Sequence, residues 1–309
     1  MTSTLVIILL ALALDRWLPE RGGFQLWIWY SDWAESVEQR FNGGLRSQGT
    51  FAVLLAIAPI LIAIFLATLI LGQIASALVF LFAVAVLYLC VDLYRLGAVA
   101  WAVAAALESN DVATTAARLK ELTGKDTVET TEAGVAHATI EAVLKQANSL
   151  VAAPIFWFLV LGPLGAMLQR LAAVLDRLWA HRNARFVEFG WAAARLDDLL
   201  CWLPARIMAI SYAIMGSFED ALHCWRRQAG MWSGLSSGPL LASGLGALHL
   251  DTCEEGEEDA YGNTAINPAT LPGAADVRRA VALVWRVMLF WLVVGLLMAV
   301  AHLAGFFTR

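Results

Sequence analysis

The sequence predicts an all-α, polytopic membrane protein with about four transmembrane helices, further broken or interfacial helices, and a helical cytoplasmic domain. Two observations carry this expectation. Apolar residues make up 60% of the 309-residue chain and the mean hydropathy is +0.68, more than a soluble fold can bury. The stretch from Phe51 to Leu93 also contains no charged residue before Asp92, and it is long enough to cross a bilayer twice. A net charge of -5 argues against broad attraction to nucleic acid or anionic lipid. Cys90, Cys201, Cys224 and Cys253 lie far apart with no CxxC spacing and read as structural thiols.

The elements follow in chain order. Leu5 to Leu14 is a short apolar run without a basic leader, read as a retained anchor that Trp17 and Leu18 extend into the interface. Phe51 to Leu93 forms two antiparallel spans that turn near Gly72, Gln73 and Ser76. Ser149 to Leu171 is apolar but broken by Pro154 and by Gly162-Pro163-Leu164-Gly165, since proline lacks an amide donor and clashes with the preceding turn. It suggests a broken or re-entrant element. Leu199 to Met215 carries Pro204 and Arg206 and suits an interfacial helix as well as a span. Val281 to Phe307 is the last span. The expected division is residues 1–96, an anchor and hairpin; 97–280, a cytoplasmic or membrane-associated helical domain; and 281–309, a C-terminal span. Arg16, Arg21, Arg40 and Arg46 place the first connection inside, because the Gly72 turn carries no Lys or Arg.

Within the polar region, Asp111 and Thr127 suit helix N-caps, and His137, Glu141 and Lys145 share one helix face as a solvated stripe. Trp191, Arg195, Asp198 and Trp202 fall on one line of a helix that starts after Gly190. Arg195 and Asp198 are expected to touch, with the stripe turned toward the protein interior or a polar cleft. Asp197 and Asp198 point roughly 100° apart and do not make a paired-carboxylate site, although one of them could share magnesium with substrate phosphates. Glu219 and His223 make a weak two-ligand pattern. Ser236-Ser237-Gly238-Pro239 reads as a loop and Asp251 to Asp259 as a solvated acidic one.

Several strings carry a family resemblance: Arg182-Asn183; Phe189-Gly190-Trp191-Ala192-Ala193-Ala194-Arg195-Leu196-Asp197-Asp198; Leu203-Pro204-Ala205-Arg206; Ala153-Pro154-Ile155-Phe156-Trp157; and Gly162-Pro163-Leu164-Gly165-Ala166. Together they resemble the cobinamide-phosphate synthase (CobD/CbiB) membrane proteins. The resemblance implies an inner-membrane enzyme that uses ATP and magnesium to join an aminopropanol phosphate to cobyric acid.

The chain also departs from that pattern. Leu14-Asp15-Arg16 leads into a Trp-rich connection (Trp27, Trp29, Trp33) that looks like the AmpE branch, without the GDP-type turn or HPV-type segment of the synthases. Of an ESxxEN-like string only Glu141 survives, and Lys145 reverses a charge where a magnesium-phosphate cluster would need a carboxylate. Ser236 stands where an SPNAG-like loop shows Asn. The expectation is therefore an AmpE-like inner-membrane signalling modulator, tied to beta-lactamase induction and cell-wall recycling, with a degenerate ligand site rather than a working ligase. The alternatives are a cobinamide-phosphate synthase and a structural membrane partner. The expected ligand contacts are Arg182, Asn183, Arg185, Trp191, Arg195, Asp197, Asp198, Arg206 and Glu141, with guanidinium groups holding a nucleotide or phosphate. Besides the bilayer, a protein partner is an expected contact; no catalytic residue or metal ligand is assigned.

Overall fold

A computed structural model describes residues 2–18, 23–109, 111–124, 131–179, 186–230, 236–250 and 271–304. Among them there are helices and no strands. In order they are α1 (Thr2–Trp17), α2 (Gly23–Phe41), α3 (Arg46–Ile74), α4 (Ser76–Cys90), α5 (Leu93–Glu108), α6 (Val112–Thr123) and α7 (Glu132–Ala147). A π-turn (Asn148–Ala152) follows, then α8 (Ala153–Leu161), α9 (Pro163–Trp179), α10 (Trp191–Met215), α11 (Phe218–Gln228), α12 (Ser237–Ala247) and α13 (Ala274–Leu303).

Five of the described helical stretches are long and apolar enough to cross a membrane: Arg46–Ile74, Ser76–Glu108, Glu132–Leu161, Trp191–Met215 and Ala274–Ala301. The protein is thus a multi-pass helical membrane protein in contact with lipid. The hairpin and the C-terminal span stand where the sequence put them, with the turn at Ala75, whose backbone is extended. The other two stretches contain the prolines that left their path open. The π-turn carries α7 into α8, and α10 runs through Pro204 without ending. α1 has 16 residues, short of the ~20 that a perpendicular span needs.

The chain folds as two compact units. The first comprises Met1–Tyr94, Ser149–Pro204 and Gly295–Arg309. In it α4 packs against α1 and α3, and α9 packs against α2, α3 and α4. α8 and α9 form a tight hairpin around Gly162, whose φ of +64° a side chain would strain. The hairpin tip, Leu159 to Leu161, is more than half exposed and suits a lipid-facing apex.

Two prolines decide how this unit is stitched. Pro204 has no amide to offer the carbonyl of Leu200, four residues back. The indole Nε1 of Trp157 on α8 donates to that carbonyl at 2.8 Å. Pro154 likewise leaves open Ser149, five residues back in the π-turn register, and the return from π to α register passes over Leu150. The Asp92 amide donates to the Leu150 carbonyl at 3.2 Å, and Gln169 Nε2 on α9 donates to the Ser149 carbonyl at 3.1 Å.

Close approach fixes the segment before α10. A Cβ on Gly190 would land on the carbonyl oxygen of Trp179, and one on Gly49 would land on that of Phe189. Arg46, at the start of α3, pairs with Glu188 at 2.5 Å. Residues 186–190 are thereby held against the first turn of α3.

The second unit comprises Arg95–Asn148 and Ala205–Val294. α11 and α12 pack as a hairpin and α12 lies on α7, where Gly244 leaves room for Leu144. Every residue of α12 is buried except the half-buried Pro239. The expected loop at Ser236 to Pro239 is therefore the entry to a buried helix, with both serines buried. Ser243 Oγ donates to the Ala209 carbonyl at 2.7 Å, and the fully buried Tyr212 hydroxyl donates to that of Leu144 at 3.1 Å. Asp111 caps α6 as expected, accepting from the Thr114 amide at 3.1 Å. Thr131 caps α7; the other expected cap, Thr127, lies outside the described residues. Burial pushes the Glu121 carboxyl up, but bonds from Arg118 and Arg95 outweigh it and hold the group below its ordinary value.

Two outcomes follow. Glu188 is bound at the start of α3 and Gly72 lies near its end, about 39 Å away at 1.5 Å per residue, more than the ~30 Å hydrocarbon core. Cysteines introduced as G72C and E188C, read against the parent protein, will react with an impermeant maleimide from opposite sides of sealed membranes; reaction from one side refutes the arrangement. Trp157→Phe will cost about 1–3 kcal/mol of stability in detergent by stranding the Leu200 carbonyl. In a Pro204→Ala background, which restores the missing amide, the same change will cost clearly less. An equal loss in both backgrounds would remove the proline argument.

Candidate functional site

α10 begins at Trp191, directly after the close-packed Gly190, as its sequence suggested. Its buried line runs through Ala193, Leu200, Cys201 and Pro204, mostly small residues that let α10 approach its neighbours. Asp197 lies on this line, one turn from both Ala193 and Cys201. The expected inward stripe is therefore rotated outward: Trp191 and Trp202 are 42% and 41% exposed, and Arg195 is exposed. Arg195 lies 6.0 Å from the Trp191 ring centre, and among the described residues no ion pair joins it to Asp198. Arg46 covers the same indole at 5.5 Å, so two guanidinium groups meet on one exposed ring, an arrangement that cation–π attraction favours.

Asp197 is placed differently. Its Oδ1 accepts from the Cys201 thiol at 3.6 Å, and the sulfur in turn accepts from Gln169 Nε2 at 3.7 Å. Trp191, Arg195, Asp197 and Asp198 all belong to the first unit. Arg206 and Glu141, both half-buried, belong to the second; Glu141 lies 3.9 Å from His137 Nδ1. Arg182, Asn183 and Arg185 lie outside the described residues.

The first unit also gathers polar groups that sequence reasoning did not single out as a site. Asp15, 6% exposed, accepts from the amides of Leu93 at 3.1 Å and Tyr94 at 2.9 Å. These are first-turn donors of α5 that have no partner within their own helix. Arg16 stacks on Tyr94 at 4.7 Å. Arg170, 8% exposed, pairs with Asp92 at 3.8 Å and lies 5.1 Å from the Trp27 ring centre. Trp27 is anchored by its own Nε1, which donates to the Leu89 carbonyl at 3.1 Å. The available signal was charge inside apolar sequence: Asp92 ends an uncharged run and Gln169-Arg170 interrupts the apolar α9. Such groups are costly in a membrane and mark packed interiors or ligand paths. Their pairing across more than seventy residues had no local signature.

Among the described residues no three of His, Cys, Asp and Glu converge on a metal position.

Residues 8–284 match the family model described as CobD/Cbib protein. A cobalamin biosynthesis protein CobD of Stutzerimonas stutzeri is 37% identical over 298 residues, covering 94% of this chain and 97% of the relative. One of Chromobacterium violaceum is 38% identical over 310 residues, covering 96% of each. One of Mycobacterium tuberculosis is 31% identical over 186 residues, covering 57% of this chain and 59% of the relative. No solved structure matches the chain. These relatives overturn the expectation of an AmpE-like signalling modulator for beta-lactamase induction and cell-wall recycling, for which nothing in the comparisons speaks. The structure shows why the departures misled. Lys145 is exposed on α7, across the helix from the buried Val143 and Ala147, so its charge does not enter a buried cluster. Asp15, taken as part of an AmpE-like layout, is a buried acceptor for α5. The chain belongs to the CobD/CbiB family of membrane proteins.

Proposed function

We propose that this protein is a cobinamide-phosphate synthase of the bacterial inner membrane, forming an amide between cobyric acid and an aminopropanol phosphate with ATP and magnesium. The observation that carries the reading is identity of 37–38% over nearly the whole length to proteins named for cobalamin biosynthesis. The Arg-rich connection from Asp15 to Thr50 lies on the cytoplasmic side, where ATP is available.

An amide does not form from a free carboxylate and an ammonium without activation, so the site must neutralise phosphate charge and hold an amine beside a carbonyl. Arg182, Arg185 and Arg195 are the anion contacts, since a guanidinium grips phosphate with two parallel donors. Trp191 offers a flat face beside Arg195, and Asn183 adds an amide. Asp197 or Asp198 would hold magnesium, which would offset phosphate charge, or orient an arginine. The Asp92–Arg170 pair keeps the first unit in register.

Membranes containing the protein, given ATP, magnesium, cobyric acid and aminopropanol phosphate, will yield cobinamide phosphate and release ADP or AMP. Arg195→Ala will raise KM for a phosphate-bearing substrate roughly tenfold, the effect of losing one charge-assisted hydrogen bond. Absence of turnover in well-folded wild-type protein would refute the synthase reading; an unchanged KM would remove Arg195 from the site.

A further inference from the structure

We propose that Cys201 and Gln169 are positioning residues that hold the carboxylate of Asp197, an inference that rests on the synthase reading above. The thiol is not a spectator. It sits one turn from Asp197 on α10, 3% exposed, with Sγ 3.6 Å from Oδ1. Gln169, fully buried on α9, spans the gap behind it, its Nε2 lying 3.1 Å from the Ser149 carbonyl and 3.7 Å from Sγ.

The direction of this chain is fixed by its first link. The Ser149 carbonyl can only accept, so it selects the amide nitrogen of Gln169; flipping the amide would set oxygen against oxygen. That nitrogen also donates to sulfur, which leaves the thiol proton directed at Asp197. Among the described residues Gln169 Oε1 is buried without a protein partner. Burying an unmatched acceptor is costly, and the N–H groups of this amide are what the site gains in return. The relay begins at a carbonyl deprived by Pro154 and ends on a carboxylate. A thiol suits the middle because it is compact and weakly polar, and can pack against α9 while still donating.

Full-length protein in membranes tests this with C201A, C201S and Q169L. C201A will lower kcat/KM about tenfold, the effect of one lost hydrogen bond to a charged group, and C201S, which keeps a donor, will recover most of that loss. Q169L and C201A combined will lose less than the product of the two single losses, because both act through one chain. A second readout does not depend on turnover. The S–H stretching band of Cys201, isolated as wild type minus C201A, will shift to higher frequency in D197L. Full activity in C201A, or a band unmoved by D197L, overturns the positioning role. Wild-type protein that shows the band shift but no synthesis leaves the relay standing and refutes only the synthase reading.

Discussion

A helix inside a membrane must satisfy its own backbone, because the hydrocarbon offers no water to a stranded carbonyl. This chain breaks that self-sufficiency at Pro59 within α3, at Pro154 with its neighbouring π-turn and at Pro204, and at the last two other elements make the repair. The donors come from other elements: Trp157 for Leu200, the Asp92 amide for Leu150 and the Gln169 side chain for Ser149. Each repair is therefore also a tertiary contact. A carbonyl left unmatched would cost about 1–3 kcal/mol, comparable to truncating a buried side chain by several methyl groups, so these bonds fix which residue of α8, α9 and α10 faces which.

The same stitching places the charges. Asp92 has its amide tied to Leu150 and its carboxylate near Arg170; Arg170 follows Gln169, which is tied to Ser149. Backbone repair and charge pairing thus involve the same few residues, and neither can slip by a turn without breaking the other. Arg170 is further enclosed by the Trp27 ring, and Trp27 is held by the Leu89 carbonyl. An unpaired guanidinium so deeply buried would be severely destabilising, which makes this group a strong constraint on register.

How much could be read beforehand divides along these lines. The hairpin of α3 and α4, the last span and the start of α10 after Gly190 were legible, because uncharged length and a breaker act locally. The continuation through both prolines was not, since proline predicts a missing bond but not the side chain that replaces it. Among candidate site residues, Trp191, Arg195 and Asp198 were correctly placed along one line of α10, but their facing was inverted. Periodicity defines a stripe; it does not say which stripe is buried, and here small residues at Ala193, Cys201 and Ala205 outcompeted aromatic ones for the interior. Asp197 was singled out, while Cys201 and Gln169 were not, since a thiol four residues on carries no signal until a second helix supplies the amide behind it.

The Lys145 substitution shows how a motif departure should be weighed. A reversed charge excludes a chemistry only if the altered side chain reaches the place where that chemistry occurs, and on a helix one residue in either direction turns it by about 100°. Lys145 is exposed, whereas Leu144 and Ala147 beside it are buried. The burial pattern of α7 therefore assigns position 145 to the outer face, and the charge there is compatible with an intact buried framework. Strings that match over Gly190 to Arg206 and Ala153 to Ala166 carry more weight because they supply both halves of one repair, Trp157 with the Leu200 carbonyl that Pro204 leaves open. Matched residues that depend on each other physically are stronger evidence of a shared fold than an isolated mismatch on an exposed face is against it.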